Sequence, residues 1–241
     1  MKKILLFISI ITFLIPISII TNSELQSYHK ENNTKVISES MNKTLNSNEK
    51  SSQDKIFELR KKLNNENVIG RIENKALNID EIIVKSKDDT YWLNHDINNK
   101  KNKYGTIFLD RYNRSDFSDW NNNLFGHKML DDKMFSNLTK LQNQKYTTNL
   151  QSSNNDIFTI TSIQGIERYK IISIKRIKKL DRNFYKTQED RDWLTNLINT
   201  SDIVVNKPKE AIEKYVILST CVNPSADDNL RQIVLLQKIS D

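Results

Sequence analysis

A mainly β fold, a closed or nearly closed barrel of eight strands, is predicted by three features of the sequence. Eight short segments are rich in Ile, Val, Phe, Tyr or Thr, polar turn residues bound each of them, and most are spaced ten to thirty positions apart. They are Val68–Ile72, Asp80–Lys85, Thr106–Leu109, Asn123–His127, Asp156–Ser162, Arg168–Ile177, Tyr215–Cys221 and Arg231–Ile239. At 241 residues the chain has room for one globular domain with additions.

The additions come first. Lys2 and Lys3 precede an apolar run from Ile4 to Ile20, interrupted by Ser9, Thr12, Pro16 and Ser18. At about 1.5 Å of helical rise per residue, this run approaches the ~30 Å depth of a bilayer core. It ends in Ile-Ile-Thr-Asn-Ser, without the small residues of a cleavage site, which favours a retained anchor over a cleaved leader. The paired lysines would stay cytoplasmic, leaving everything after Thr21 outside the cell. Residues 1–21 are therefore read as the anchor and 22–52, rich in Asn, Ser, Lys and Glu, as a polar stalk. The folded domain is expected over 53–241.

That domain opens on a helix. Ile56, Leu59 and Leu63, with Phe57 alongside, recur at helical spacing before the Asn-rich stretch 64–67. Two further helices are expected among the strands, one on the stripe Met134, Phe135, Leu138 and Leu141, the other on Trp193, Leu194, Leu197 and Ile198. The connection Leu180–Pro208 is long for a hairpin and carries the second of these. Long ordered loops on a rigid scaffold are where binding surfaces tend to sit.

Composition removes several function classes. The four glycines and three prolines exclude collagen-like chains, and the single cysteine excludes a disulfide framework or a multi-cysteine metal site. No G-x-G-x-x-G, Walker loop or H-E-x-x-H helix is present, and no metal site or cofactor is legible. The net charge of +7 is spread among 30 acids and does not argue for a nucleic-acid partner. Lys100, Lys101 and Lys103 read as a solvated turn, with attraction to an anionic wall polymer as the other reading. His29 in the stalk and His95 in a polar turn read as surface residues.

Three segments carry the chemistry. Leu124-Phe125-Gly126-His127-Lys128-Met129 closes a strand, Ile217-Leu218-Ser219-Thr220-Cys221 delivers a thiol at a strand end, and Arg231 opens the next strand. Singly, each has an ordinary reading: a solvent-facing histidine, a packed cysteine, a surface arginine. If the last two strands pair as a hairpin, Cys221 and Arg231 meet at one rim, and His127 from a neighbouring strand end reaches the same place. A thiol with an unperturbed pKa of ~8.5 is only slightly ionised near neutrality, and nearby cations favour its thiolate. A histidine there can protonate a leaving amine, and an arginine can hold a carbonyl or its oxyanion. The set points to acyl transfer through a thioester.

At these residues the chain resembles the sortases, the cysteine transpeptidases of Gram-positive cell envelopes. The resemblance rests on ILSTC at 217–221, Arg231 ten positions on, and GHKM at 126–129 upstream. It extends in order through SKDDTYWL at 86–93, GTIFLD at 105–110, MFSNL at 134–138 and RQIVLLQKI at 231–239, spanning roughly residues 68–239. The N-terminal helix and the insertion at 180–208 are similar to class B members. Departures are Lys128, where relatives often have Asn after Gly-His, and Asp80–Val84, where a Tyr-Pro-Val-like segment is usual.

The resemblance implies an eight-stranded sortase barrel on a membrane anchor, with the catalytic domain outside the cell. Cys221 would attack the carbonyl of a Thr in a C-terminal sorting signal of a surface protein. His127 would serve as general acid and then base, and Arg231 would position substrate and stabilise the tetrahedral intermediate. An amine of a peptidoglycan precursor or cross-bridge would resolve the thioester, and no cofactor is implied. Leu93, Ser219 and Thr220 match positions near the class B substrate groove. Two other readings stand beside this one: an exported cysteine peptidase with water as acceptor, and a surface protein that binds wall polymers without chemistry.

Overall fold

The computed structural model of the protein describes residues 51–85, 87–179, 181–209, 214–223 and 229–239. The expected anchor, 1–21, and the stalk up to residue 50 lie outside the described residues, among which no helix is long and apolar enough to cross a membrane.

Helix α1 (Ser52–Leu63) begins where Ser51 caps it, the serine hydroxyl oxygen accepting from the Asp54 amide at 3.2 Å. It ends at Asn64, whose φ of 48° takes the left-handed conformation that asparagine tolerates better than most residues. Ile56 and Leu59 face inward, whereas Phe57 on the same apolar stretch is exposed.

Nine strands follow among the described residues: β1 (Val68–Asn74), β2 (Ile79–Lys85), β3 (Ile107–Leu109), β4 (Asn121–Phe125), β5 (Ile157–Ser162), β6 (Gly165–Lys178), β7 (Ile203–Val204), β8 (Tyr215–Cys221) and β9 (Leu230–Lys238). Their order in the sheet is β5-β1-β2-β3-β4-β8-β9-β6-β7, and β5 also pairs with β6. That extra pairing closes eight strands into a barrel, which removes the open edges an unclosed sheet would present. The two-residue β7 flanks β6 at Ser173–Ile174. The expected eight-stranded barrel is the observed one, with β7 as an addition too short to show in the pattern.

The expected helix on Met134–Leu141 is different in detail. Met134 has a φ of 58° and pairs back with Lys128, so the chain at 134–135 lies against 127–128 and no helix begins there. A 3₁₀ turn over Ser136–Gln142 then carries Leu138 and Leu141 into the barrel, beside the buried Met134 and Phe135. The following helix, α2 (Gln144–Ser152), buries only Thr147 and Leu150, too few apolar residues to mark it in the sequence. Helix α3 (Arg191–Asn199) is capped by Asp190, whose carboxylate accepts from the Trp193 amide at 2.9 Å.

Strands β8 and β9 are buried on both faces, which is why they read as continuous apolar runs. Val216, Leu218, Val234 and Leu236 point into the barrel core. Tyr215, Ile217, Ile233 and Leu235 point outward, where Leu194 and Leu197 of α3 cover them. By the two-residue period of a strand, Ser219, Cys221 and Arg231 belong to this outer face, under the insertion.

Candidate active site

Strand order and register bring three reactive side chains to one end of the sheet. Strands β4, β8 and β9 are neighbours in that order. In the antiparallel β8–β9 pair, Cys221 stands directly opposite Arg231. Residues so placed have their Cβ atoms about 4.5–5.5 Å apart on the same face. In the parallel β4–β8 pair, the last rung sets Phe125 beside Ser219, and the Gly126 amide donates to the Ser219 carbonyl at 3.1 Å. His127 lies two residues past Phe125, as Cys221 lies two past Ser219, so both follow the last rung at the same end of the sheet, and the charge of Arg231 acts on the imidazole. The order across the sheet is His127, Cys221, Arg231. His127 sits just beyond β4 rather than within a strand, correcting the expected Asn123–His127 boundary.

Two glycines permit the close packing behind His127. A Cβ on Gly126 would fall 2.2 Å from Ile107 Cδ1 and 2.8 Å from Phe135 Cδ2. Gly105, at φ 60°, lies against the turn at Tyr91–Leu93, where a Cβ would meet the Trp92 carbonyl oxygen at 2.4 Å and that of Leu93 at 2.8 Å. The Leu93 carbonyl in turn accepts a hydrogen bond from His127 Nε2 at 2.7 Å. A carbonyl can only accept, so Nε2 carries the proton and Nδ1 is the nitrogen left for chemistry.

Burial holds the His127 imidazole below its ordinary range, the Leu93 bond opposes this, and the charge of Arg231 lowers it further. The unfolded chain therefore takes up this proton first, and the ring's effect is to reduce stability as pH falls through the ordinary histidine range. The His127 ring is expected to titrate below its ordinary value in the free protein. Arg231→Ala should move the midpoint upward, which NMR titration of the imidazole measures. A midpoint unmoved by that substitution would show that the guanidinium does not act on the ring.

The insertion supplies residues that sequence reading missed. Tyr185 lies over the adjoining Phe125–Ser219 rung, its hydroxyl 2.8 Å from Ser219 Oγ and its ring 5.0 Å from that of Phe125. Burial raises the Tyr185 phenol above its ordinary value, against the pull of Ser219 and of Arg231 and Arg182, so it stays protonated near neutrality. Asn121 and Asn123 of β4 point the same way, both donating to the Lys186 carbonyl, at 2.6 and 3.3 Å. Arg182 reaches Asp110 at 2.8 Å and Asp89 at 2.5 Å, fastening the insertion to the loops after β2 and β3. The aromatic pair Phe184-Tyr185 in an otherwise polar stretch was the available clue.

The remaining expected groove residues separate. Ser219 shares the outer face with Cys221 and is bonded to Tyr185. Leu93 is at the site through its carbonyl, as the partner of His127. Thr220 turns to the opposite face, paired with Gln232, and its Oγ1 is buried without a partner. Its side chain is not brought to the row. His95, expected at the surface, is half-buried and stacks on Tyr91 with ring centroids 3.9 Å apart.

Comparison with known proteins leads to one group. No family model matches the chain. Sortase B of Listeria monocytogenes is 27% identical over 164 residues, covering 65% of this chain and 63% of that protein's length. The chain thus matches a little under two thirds of that curated relative. Among solved structures, a Staphylococcus aureus sortase B–substrate complex superposes with a TM-score of 0.79 at 18% identity, covering 90% of this chain and 99% of the other. Listeria monocytogenes sortase B superposes with a TM-score of 0.61 at 26% identity, covering 74% and 97%.

Proposed function

We propose that the chain, which is similar to sortase B of Listeria monocytogenes and shares the fold of solved sortase B structures, is a cysteine transpeptidase of that class acting on surface proteins with a C-terminal sorting signal. What supports this reading is the pairing of Cys221 with Arg231 at the end of the β8–β9 ladder, with His127 two residues past the last β4–β8 rung and within reach of the Arg231 charge.

In the reaction, the Cys221 thiolate attacks the carbonyl carbon of a Thr in the sorting signal. Arg231, always charged, faces the oxygen on which negative charge develops. As the intermediate collapses, the peptide C–N bond breaks, His127 gives the leaving amine a proton from Nδ1, and a thioester remains on Cys221. An amine of a peptidoglycan precursor or cross-bridge then attacks the thioester. His127 takes the incoming amine's proton, and the sulfur departs as thiolate. The low affinity of His127 for protons disfavours its imidazolium form in the free enzyme. Ser219 and Leu93 border the groove in this reading. Thr220 contributes through its place in β8.

We place the catalytic domain outside the cell, held by residues 1–21 as a retained anchor, on the composition of that segment alone. Incubation with Thr-containing sorting peptides, with and without a peptide amine, tests the reaction. The amine adduct should dominate by mass spectrometry whenever amine is present. Hydrolysed peptide in equal amount in both arms would make the protein a peptidase instead.

A further inference from the structure

The backbone ladder between β4 and β8 ends at the Gly126–Ser219 rung, just before His127 on one side and two residues before Cys221 on the other. Past that rung, Lys128 crosses the gap. Its Nζ donates to the Val222 carbonyl at 2.7 Å, joining the residue after His127 to the residue after Cys221. Both ends of this link are held. The backbone of Lys128 bridges Met134, and the Phe135 amide donates to the His127 carbonyl at 3.1 Å. The Val222 amide donates to the Leu230 carbonyl at 3.3 Å, the last closure of the β8–β9 hairpin before Arg231.

The partner of the ammonium is a neutral carbonyl, so the bond fixes the cation without cancelling its charge. The carboxylates nearest in sequence are engaged elsewhere: Asp131 with Tyr104 and Lys133, Asp132 with Lys140. Among the described residues, the other titratable groups near the row are His127, Arg231 and the Tyr185 phenol, and none of these is anionic near neutrality. Asp227 and Asp228, in the loop joining the two strands, lie outside the described residues.

We propose that Lys128 is a positioning residue that sets the spacing of His127 to Cys221 and supplies a second fixed cation beside the thiolate. The inference rests on the transpeptidase reading for its use, but its test does not depend on that reading. Alkylation of Cys221 by iodoacetamide, followed against pH, reports thiolate alone. Lys128→Met should slow alkylation at pH 7 by ~3–10-fold and move the profile to higher pH, since a tenfold loss of thiolate is one pH unit. Lys128→Arg keeps a cation there and should stay within about twofold of the wild type. Lys128→Gln provides a second neutral variant, and thermal unfolding of all three confirms that folded protein is compared. Unchanged alkylation profiles in both neutral variants would overturn the proposal. A wild type that fails to form the amine adduct, while Lys128→Met shows the slowed alkylation, would sink the transpeptidase reading and leave this one standing.

Discussion

Cys221→Ala is expected to lower cleavage of a Thr-containing sorting peptide by at least ~10³-fold while leaving the fold in place. The size follows from the chemistry: without sulfur no thioester forms, and among the described residues no other nucleophile stands at the Cys221 position. Ser219 lies on the same face but is buried and bonded to Tyr185, one step too far down the strand to substitute. The structural cost is small because Cys221 is only partly buried at the end of β8, and its register with Arg231 is a backbone property. A loss of less than about 1 kcal/mol is expected. Chromatography of the cleaved peptide and thermal unfolding provide the two readings. Full turnover by the alanine variant would remove the thioester from the mechanism.

The barrel was legible because β8 and β9 bury both faces and therefore appear as unbroken apolar runs with clear ends. Cys221 and Arg231 could be placed at one rim because a hairpin needs only its two strands. What the pattern did not carry was anything fixed by distant contacts. Met134 looks helical by spacing, yet its pairing with Lys128 gives it a positive φ and delays the helix. Leu93 is expected only as a position near the substrate groove, whereas its carbonyl, 34 residues from His127, is what bonds the ring. Tyr185 meets Ser219 across 34 positions, and Lys128 meets Val222 across 94. Such pairs have no local period, so they become visible only when the chain is folded.

The insertion's attachment gives the second large effect. Arg182→Met is expected to cost about 1–3 kcal/mol of stability near neutrality and to weaken substrate binding. Asp110 is fully buried and accepts from the Tyr112 amide at 3.0 Å as well as from Arg182. Removing the guanidinium takes away the ion-pair partner of that carboxylate, which is the costly way to break a buried pair, although half-exposure of Arg182 and the nearby Lys85 ammonium lessen the loss. Burial already raises the Asp110 carboxyl above its ordinary value with Arg182 present, and the Asp89 charge adds to this. Without Arg182 the folded-state value rises again. The deficit should therefore be complete at neutral pH and shrink as pH falls through that raised value, where Asp110 takes up a proton. Chemical denaturation of both proteins across pH measures this. Adding Asp110→Asn to the variant removes the stranded charge and should restore most of the loss, a recovery that simple loss of packing would not produce. Freed from Asp110 and Asp89, the segment bearing Tyr185 no longer holds its position over Ser219. A ~3–10-fold rise in KM for the sorting peptide, with kcat changed less, is the expected result for a residue that shapes the groove and touches no reacting atom. An equal fall in kcat with KM unchanged would instead place Arg182 in the chemical step.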